Sequence, residues 1–246
     1  MSHTRYYVLD TLRGFALINM ILYHAIWDLV YVFRFDWSWY RSNGAYIWQQ
    51  YICWTFILLS GFCFAFGKSK YKRGIIVFVC GFLITLCTCI FMPENRVVFG
   101  ILTLIGSCMI LMTPLKTKLS QMNPFLGAFV SFGLFVITRN VNIKFLGFES
   151  WNIISLPESL YQNLFTAYLG FPRNNFYSTD YFSIFPWIFL FSTGFFLSLI
   201  FKKQNWLSVL KPRLCKPLEW LGQHSLPIYV LHQPIIYGVL TLIFMN

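Results

Sequence analysis

Runs of apolar residues separated by short polar stretches divide the chain into seven windows, at about residues 7–33, 46–66, 74–92, 97–114, 123–138, 181–201 and 218–245. Most are long enough for an α-helix to cross the hydrocarbon core of a bilayer, which takes roughly 20 residues at about 1.5 Å each. The pattern therefore predicts an all-α, polytopic membrane helical bundle of about seven spans, with an eighth compatible. The fourth and fifth windows are short, and the last is long and interrupted by Pro227 and Pro234. Such breaks are tolerated in a membrane where protein or a cavity satisfies the freed backbone groups. Between the fifth and sixth windows, residues 139–180 interleave aromatic and aliphatic residues from Trp151 to Phe171 with Glu158, Gln162 and Asn163. That composition predicts an interfacial or re-entrant segment, either a lid over an outward-facing site or a plain anchor.

The first window departs from a purely apolar span. It carries Asp10, Arg13, Asn19, His24 and Asp28, and ionisable groups at membrane depth are costly unless they face a cavity or a partner. At about 100° per residue, the steps from Arg13 to His24 return to within about 20° of the start and rise roughly 16 Å. Arg13 and His24 thus share a face. Asp10, Leu17, Met20 and Asp28 fall on or near it, giving a stripe roughly 27 Å long with polar groups at both ends. The plain structural alternative is that these charges pair with neighbouring helices and hold the bundle together.

Composition agrees with a membrane protein and narrows its kind. The 246 residues are 57% hydrophobic and 11% charged, against about 25% charged in soluble domains. A net charge of +11 could suggest nucleic acid, but the basic residues cluster in short loops, the signature of membrane topology. With loops assigned alternately, one side holds Arg5, Lys68, Lys70, Lys72, Arg73, Lys116, Lys118, Lys202, Lys203, Lys211, Arg213 and Lys216; the other holds Arg34, Arg41, Arg96, Arg139, Lys144 and Arg173. The excess predicts a cytoplasmic N-terminus and, with seven spans, an external C-terminus. The charges within the first window and the lack of a small-residue cleavage site predict that it stays in the protein. Six of the seven cysteines lie in apolar windows at no metal-ligand spacing and read as small buried hydrophobes, with Cys215 in a basic loop. Trp37, Trp39, Trp48 and Trp54 read as an interfacial belt. His3 is terminal, and His224 stands near the inner end of the last window.

Depth then sorts the polar residues. His24 lies roughly 25 Å beyond Tyr7, and His232, fourteen residues past Leu218, reaches a comparable level, so the two histidines can meet. The outer half collects His24, Asp28, Asp180, Trp187, His232 and Gln233. The inner half collects Arg13, Ser60, Lys72, Arg73 and the basic loop 202–216. A basic inner mouth and a histidine near the far end suit transfer from a large cytoplasmic anion to an acceptor outside. An acyl-coenzyme A is such a donor: Arg and Lys would hold its phosphates, and its pantetheine arm could follow the seam. A histidine could take the acceptor's proton, or be acylated itself. Asp28, one turn from His24, could orient its ring.

Several stretches also resemble a family. Arg13 and His24, ten residues between them, are similar to the basic–histidine pair in the first helix of a membrane acyltransferase superfamily. That superfamily includes the acyltransferase-3 family and the heparan-alpha-glucosaminide N-acetyltransferase catalytic domain. Ser60-Gly61-Phe62 resembles its Ser-Gly-Phe signature. Further resemblance to the small bacterial relatives lies in Phe99-Gly100-Ile101-Leu102, in Asp180-Tyr181 with Phe185-Pro186-Trp187, and in Leu221-Gly222 through Ser225, Ile228-Tyr229 and His232-Gln233-Pro234. Thr103 stands where those relatives carry His or Gln, and Arg96 replaces an arginine expected beside Phe99. The resemblance implies one transmembrane acyltransferase domain in a bacterial plasma membrane. It implies transfer from cytoplasmic acetyl-CoA, a co-substrate, to a hydroxyl or amine of an extracytoplasmic carbohydrate or lipid-linked glycan, with no metal or prosthetic group. Catalytic roles would fall to His24 and Asp28, and donor binding to Arg13, Asp10, Ser60, Lys72 and Arg73. Acceptor binding or support would fall to Asp180, Tyr181, Trp187, Ser225, Tyr229, His232 and Gln233. A homo-oligomer is compatible with the sequence.

Plainer readings stand beside these. His232-Gln233-Pro234 could be a polar kink, Ser60-Gly61 a close-packing point, and Arg73 with its neighbours a topology signal. The rival class is a proton-coupled transporter using Asp10, Arg13, His24 and Asp28 as a relay, against which stands the absence of an inverted repeat in the sequence. A catalytically inactive scaffold subunit is a third.

Overall fold

A computed structural model describes residues 5–67 and 70–244. His3 and Lys68 lie outside the described residues. The chain is mostly helical, in the order α1 (Tyr7–Trp27), α2 (Asn43–Phe64), α3 (Lys70–Phe91), α4 (Ile101–Gln121), α5 (Pro124–Ile137), strands β1 (Phe145–Phe148) and β2 (Trp151–Ser155), then α6 (Leu164–Leu169), α7 (Trp187–Lys203), α8 (Lys216–Gln223) and α9 (Ser225–Phe244). Among the described residues six helical segments are long and apolar enough to cross a membrane: 7–32, 43–64, 70–91, 101–121, 124–143 and 225–244. Helix α7 is apolar along most of its length and shorter, at 17 residues.

Three local features differ from the hydropathy reading. The α-helical part of the first window ends at Trp27 and continues as a π-helical turn over Asp28–Val32, where the Phe33 N–H donates to the Asp28 carbonyl. The fourth window does not stop at Pro114, because α4 runs through it to Gln121. A proline removes one N–H, here the one that would meet the Ile110 carbonyl, and beside it the Thr113 hydroxyl donates to the Met109 carbonyl at 2.6 Å. The last window is two helices that part at His224. Pro227 therefore sits in the first turn of α9, where backbone N–H groups have no intrahelical partner to lose, and marks a start where the sequence suggested an interruption.

The chain divides into two compact units. One contains the chain up to Phe56 together with everything from Asn205 on. In it α1 packs against α8 and α9, and the α1–α8 crossing is a backbone-to-backbone contact. A Cβ on Gly14 would lie 2.0 Å from the Leu218 carbonyl oxygen, and one on Gly222 would lie 1.9 Å from that of Asp10. Only glycine fits at either point. The other unit, Ile57–Gln204, pairs α3 with α4 and α5 with α7. Gly61 of α2 meets the Phe191 carbonyl of α7 in the same manner, so Ser60-Gly61 includes a close-packing point.

Residues 139–180 form an antiparallel hairpin, β1 with β2, followed by the short helix α6. The β2 residues are all exposed, Trp151 at 78% and Ile153 at 65%. All seven cysteines are free. Cys53 and Cys108 are buried as expected, but Cys87 and Cys89 are exposed on α3, a helix whose outward residues are large and apolar. Being hydrophobic in a membrane protein does not require a place in the protein core.

Candidate active site

In the first unit the stripe on α1 finds partners at both ends. At the start of the helix Asp10 is held between two arginines: Arg5 Nε lies 2.8 Å from Oδ2 and Arg13 Nη1 lies 3.3 Å from Oδ1. Arg13 Nη1 also donates to the Gly222 carbonyl in the last turn of α8, at 3.2 Å. A cation there satisfies an otherwise unpaired carbonyl and complements the helix dipole. It can do so because Gly222 brings the α8 backbone against Asp10. Arg13 is thus a structural clasp as well as a basic group with 21% of its side chain exposed.

Beside it is a cluster that the linear sequence did not single out. Arg213 stacks over the Tyr7 ring, 4.4 Å to the centroid, donates to the Tyr7 hydroxyl at 3.2 Å, and faces the Glu219 carboxylate at 3.9 Å. Glu219 is buried and accepts from the Leu214 N–H just before α8. The hydrogen bond to the Tyr7 hydroxyl, with the charge interactions of Tyr7 and Glu219, pushes the Arg213 pKa up. The available signal was the one-sided polarity of Lys216–Gln223, hidden by reading 218–245 as one span.

At the far end of the stripe the histidines meet. The rings of His24 on α1 and His232 on α9 lie 4.9 Å apart and inclined at 61°. His232 is 8% exposed, and its Nδ1 bonds to the Tyr229 carbonyl one turn earlier. In the neutral ring that contact puts the proton on Nδ1 and leaves a lone pair on Nε2, which is buried and without a partner among the described residues. Gln233 Nε2 donates to Asp28 Oδ1 at 2.7 Å. Asp28, 1% exposed, therefore ties the π-helical turn to α9, and its recorded bond runs to Gln233 where the sequence suggested the His24 ring. Asp28 Oδ2 and Gln233 Oε1 are also buried without partners among the described residues. Buried acceptors left open in this way are expensive and mark sites completed by water or a ligand.

The surroundings are aromatic. Tyr229, on the same α9 face as Ser225, His232 and Gln233 by their spacing, contacts the His232 ring at 5.2 Å and the Phe56 ring at 6.4 Å. Tyr23 meets His24 edge-on at 6.1 Å, Tyr40 at 5.1 Å and Trp48 at 5.4 Å. The Tyr40 hydroxyl donates to the Tyr23 carbonyl, and burial and this bond raise its pKa. Trp48 donates to Asn19 at 3.0 Å, so this tryptophan braces α1 as well as contributing to any interfacial belt. Tyr23 and Tyr40 went unremarked in the sequence because an irregular loop separates them.

The remaining expected residues belong to the second unit, where each has its own setting. Ser60 is half-buried beside Gly61, and Lys72 and Arg73 are exposed at the start of α3. Asp180 accepts from the Ile101 N–H at the N-terminus of α4, an arrangement the helix dipole favours, yet burial raises its pKa to about 6. The Tyr181 hydroxyl donates to the Ala167 carbonyl, and burial pushes its pKa up. Trp187 is a core residue, its ring against Phe135 at 5.5 Å and Phe182 at 5.0 Å with the Arg139 guanidinium 4.9 Å away. Among the described residues no group of His, Cys, Asp or Glu is arranged to hold a metal ion.

Six apolar helices long enough to span, together with buried polar groups at helix–helix contacts, define an integral, multi-pass membrane protein. The family model for the heparan-alpha-glucosaminide N-acetyltransferase catalytic domain matches residues 5–234, and the chain belongs to that family of membrane acetyltransferases. Comparison with curated proteins and with solved structures returned no match.

Proposed function

We propose that this protein moves an acetyl group from cytoplasmic acetyl-CoA to an amine or hydroxyl of an extracytoplasmic carbohydrate or lipid-linked glycan, with His24 at the reacting centre. The observation that carries this reading is the pairing of His24 with His232, beside buried acceptor atoms that nothing among the described residues satisfies. The reading completes the topology as seven spans, counting α7, with the N-terminus cytoplasmic in a bacterial plasma membrane and the acetyltransferase domain extending over the whole chain. Arg13, oriented by Asp10, binds the donor's phosphates in this reading.

In the reaction, the acceptor's nitrogen or oxygen attacks the thioester carbonyl, its proton passes to His24, and the C–S bond breaks to release coenzyme A, whose sulfur is then protonated. Acylation of His24 followed by transfer gives the same products. The unsatisfied atoms at Asp28, Gln233 and His232 are all hydrogen-bond acceptors. That set suits a ligand rich in N–H donors and favours an amine over a hydroxyl. Asp28 acts by positioning Gln233; Ser225 and Tyr229 support the His232 face, and Asp180, Tyr181 and Trp187 support the outer segment.

The test uses purified protein in lipid nanodiscs with radiolabelled acetyl-CoA and paired glycans bearing a free or a blocked amine. Label should enter the free amine, and His24→Ala should lower turnover by about 10²–10⁴-fold while remaining monodisperse. Retained turnover in that variant would overturn the role of His24. Substrate passage across sealed vesicles without acetyl-CoA consumption would favour the transporter.

A further inference from the structure

The stretch that follows Asn205 in the first unit presents a face that the proposed chemistry does not use. Trp206, Val209, Leu214 and Trp220 are between 51% and 67% exposed, and Lys211, Arg213 and Lys216, also exposed, stand among them. From Asn205 to Leu218 the sequence carries no acid. Glu219, the next residue, is turned inward: it is buried and accepts from the Leu214 N–H. Asp10, the other acid close to α8, is held between Arg5 and Arg13.

Its contacts with the spans fix the height of this face. Arg213 lies over the Tyr7 ring at 4.4 Å, and Tyr7 is the first residue of the span 7–32. The turn 206–210 also touches α1. Helix α8 runs beside the first turns of that span, Leu218 at Gly14 and Gly222 at Asp10, and the span 225–244 begins just after it. The segment is therefore held where two spans leave the hydrocarbon, at the level of lipid headgroups. Of its three cations, Arg213 is engaged by the Tyr7 hydroxyl and by Glu219. Lys211 and Lys216, on either side of it in the chain, have no side-chain hydrogen bond or ion pair recorded among the described residues. Trp220 packs on the His224 ring at 4.5 Å while more than half of it stays exposed, the half-covered placement of interfacial tryptophans.

From this combination we infer that residues 206–220 form a docking face for anionic phospholipid: Lys211 and Lys216 take the headgroup phosphate, and Trp206, Leu214 and Trp220 enter the interfacial layer beside it. Apolar side chains set among cations, with no exposed acid between them, match a surface that is apolar beneath and negative above. Lysine suits the task because its ammonium is a mobile point charge on a stem that itself covers apolar surface. A free phosphate would be served by the cations alone, whereas the exposed apolar residues among them select a lipid. The inference does not rest on the acetyltransferase reading, which only assigns the face to the cytoplasmic leaflet.

The test places the full chain in phosphatidylcholine nanodiscs doped with an equal small fraction of brominated phosphatidylglycerol or brominated phosphatidylcholine, and reads tryptophan quenching. Subtracting the signal of Trp206→Phe/Trp220→Phe protein isolates this face. There phosphatidylglycerol should be preferred about 25-fold, about fivefold for each unpaired lysine. Lys211→Gln/Lys216→Gln should abolish the preference and Lys211→Arg/Lys216→Arg should keep it, which separates loss of charge from loss of fold. Equal quenching by the two lipids, or a preference surviving in the glutamine variant, overturns the inference. So does displacement of the lipid by sodium phosphate beyond the effect of sodium chloride at the same ionic strength, the mark of a general anion site. If the double phenylalanine variant is quenched like the wild type, the face is covered by protein and the inference fails. Acetyl transfer does not enter the readout, so its absence would remove the proposed function and leave the lipid face standing.

Discussion

The His24 ring meets the His232 ring edge-on at 4.9 Å, and His232 is itself fixed by a bond from Nδ1 to the Tyr229 carbonyl. Residues more than two hundred positions apart thus meet at a point where the His232 Nε2 lone pair is buried and without a partner among the described residues. His232→Phe keeps the ring's bulk and removes both nitrogens. It should lower kcat for acetyl transfer by about 10²-fold, the scale of a lost general acid–base partner, with the KM for acetyl-CoA little changed. Steady-state kinetics check this, and an unchanged kcat would reduce His232 to packing.

Gln233→Leu removes the donor to Asp28 Oδ1 and leaves both oxygens of a buried carboxylate without a recorded protein partner. The variant should be destabilised by about 2 kcal/mol, whereas Asp28→Asn combined with Gln233→Leu should recover part of that loss because no charge remains buried. Thermal unfolding of the two variants in one detergent gives the comparison. A melting temperature for Gln233→Leu equal to that of the wild type would mean that the Asp28–Gln233 bond carries no weight.

The α1–α8 crossing predicts a sharp steric effect. Gly222→Ala places a methyl carbon 1.9 Å from the Asp10 carbonyl oxygen, so α8 must move and Arg13 must lose its bond to the Gly222 carbonyl. Destabilisation of about 3 kcal/mol is expected. Gly133→Ala, where a Cβ meets nothing within 4 Å, should be neutral in the same melting assay.

Asp180 gives stability a pH dependence. Its pKa in the folded protein, about 6, lies above the ordinary aspartate value, so the folded state binds the proton more tightly than the unfolded one. The associated stabilisation is full below about pH 4 and is lost as pH rises through about 6. The melting temperature of the wild type should carry a downward component between those values that is absent in Asp180→Asn. A difference between the two proteins that does not vary with pH would show that Asp180 does not titrate in this window.

Several features were legible in the chain because they depend on local order alone. Helical periodicity placed Arg13 and His24 on one face, and hydropathy marked the spanning segments, since a bilayer demands continuous apolar length whatever the helices pack against. The short motifs identified the family for the same reason: they are read residue by residue. The break at His224 was not legible, because Lys216–Gln223 is apolar enough on one side to merge with the span that follows. The close approach that makes Gly222 irreplaceable depends on the Asp10 backbone, more than two hundred residues away.

Sequence by itself thus determined a helical multi-pass membrane protein and the polar residues placed at depth within it. Tertiary structure decided which of those residues are partners: Asp28 with Gln233, His24 with His232, and Arg13 with the end of α8. It also set Arg213 against Tyr7 at the start of the first span. The reason is physical. Hydropathy and helical phase are fixed by neighbours a few residues apart, whereas a buried polar group takes whichever donor or acceptor the packing brings within about 3 Å, and that choice is made between helices distant in the chain.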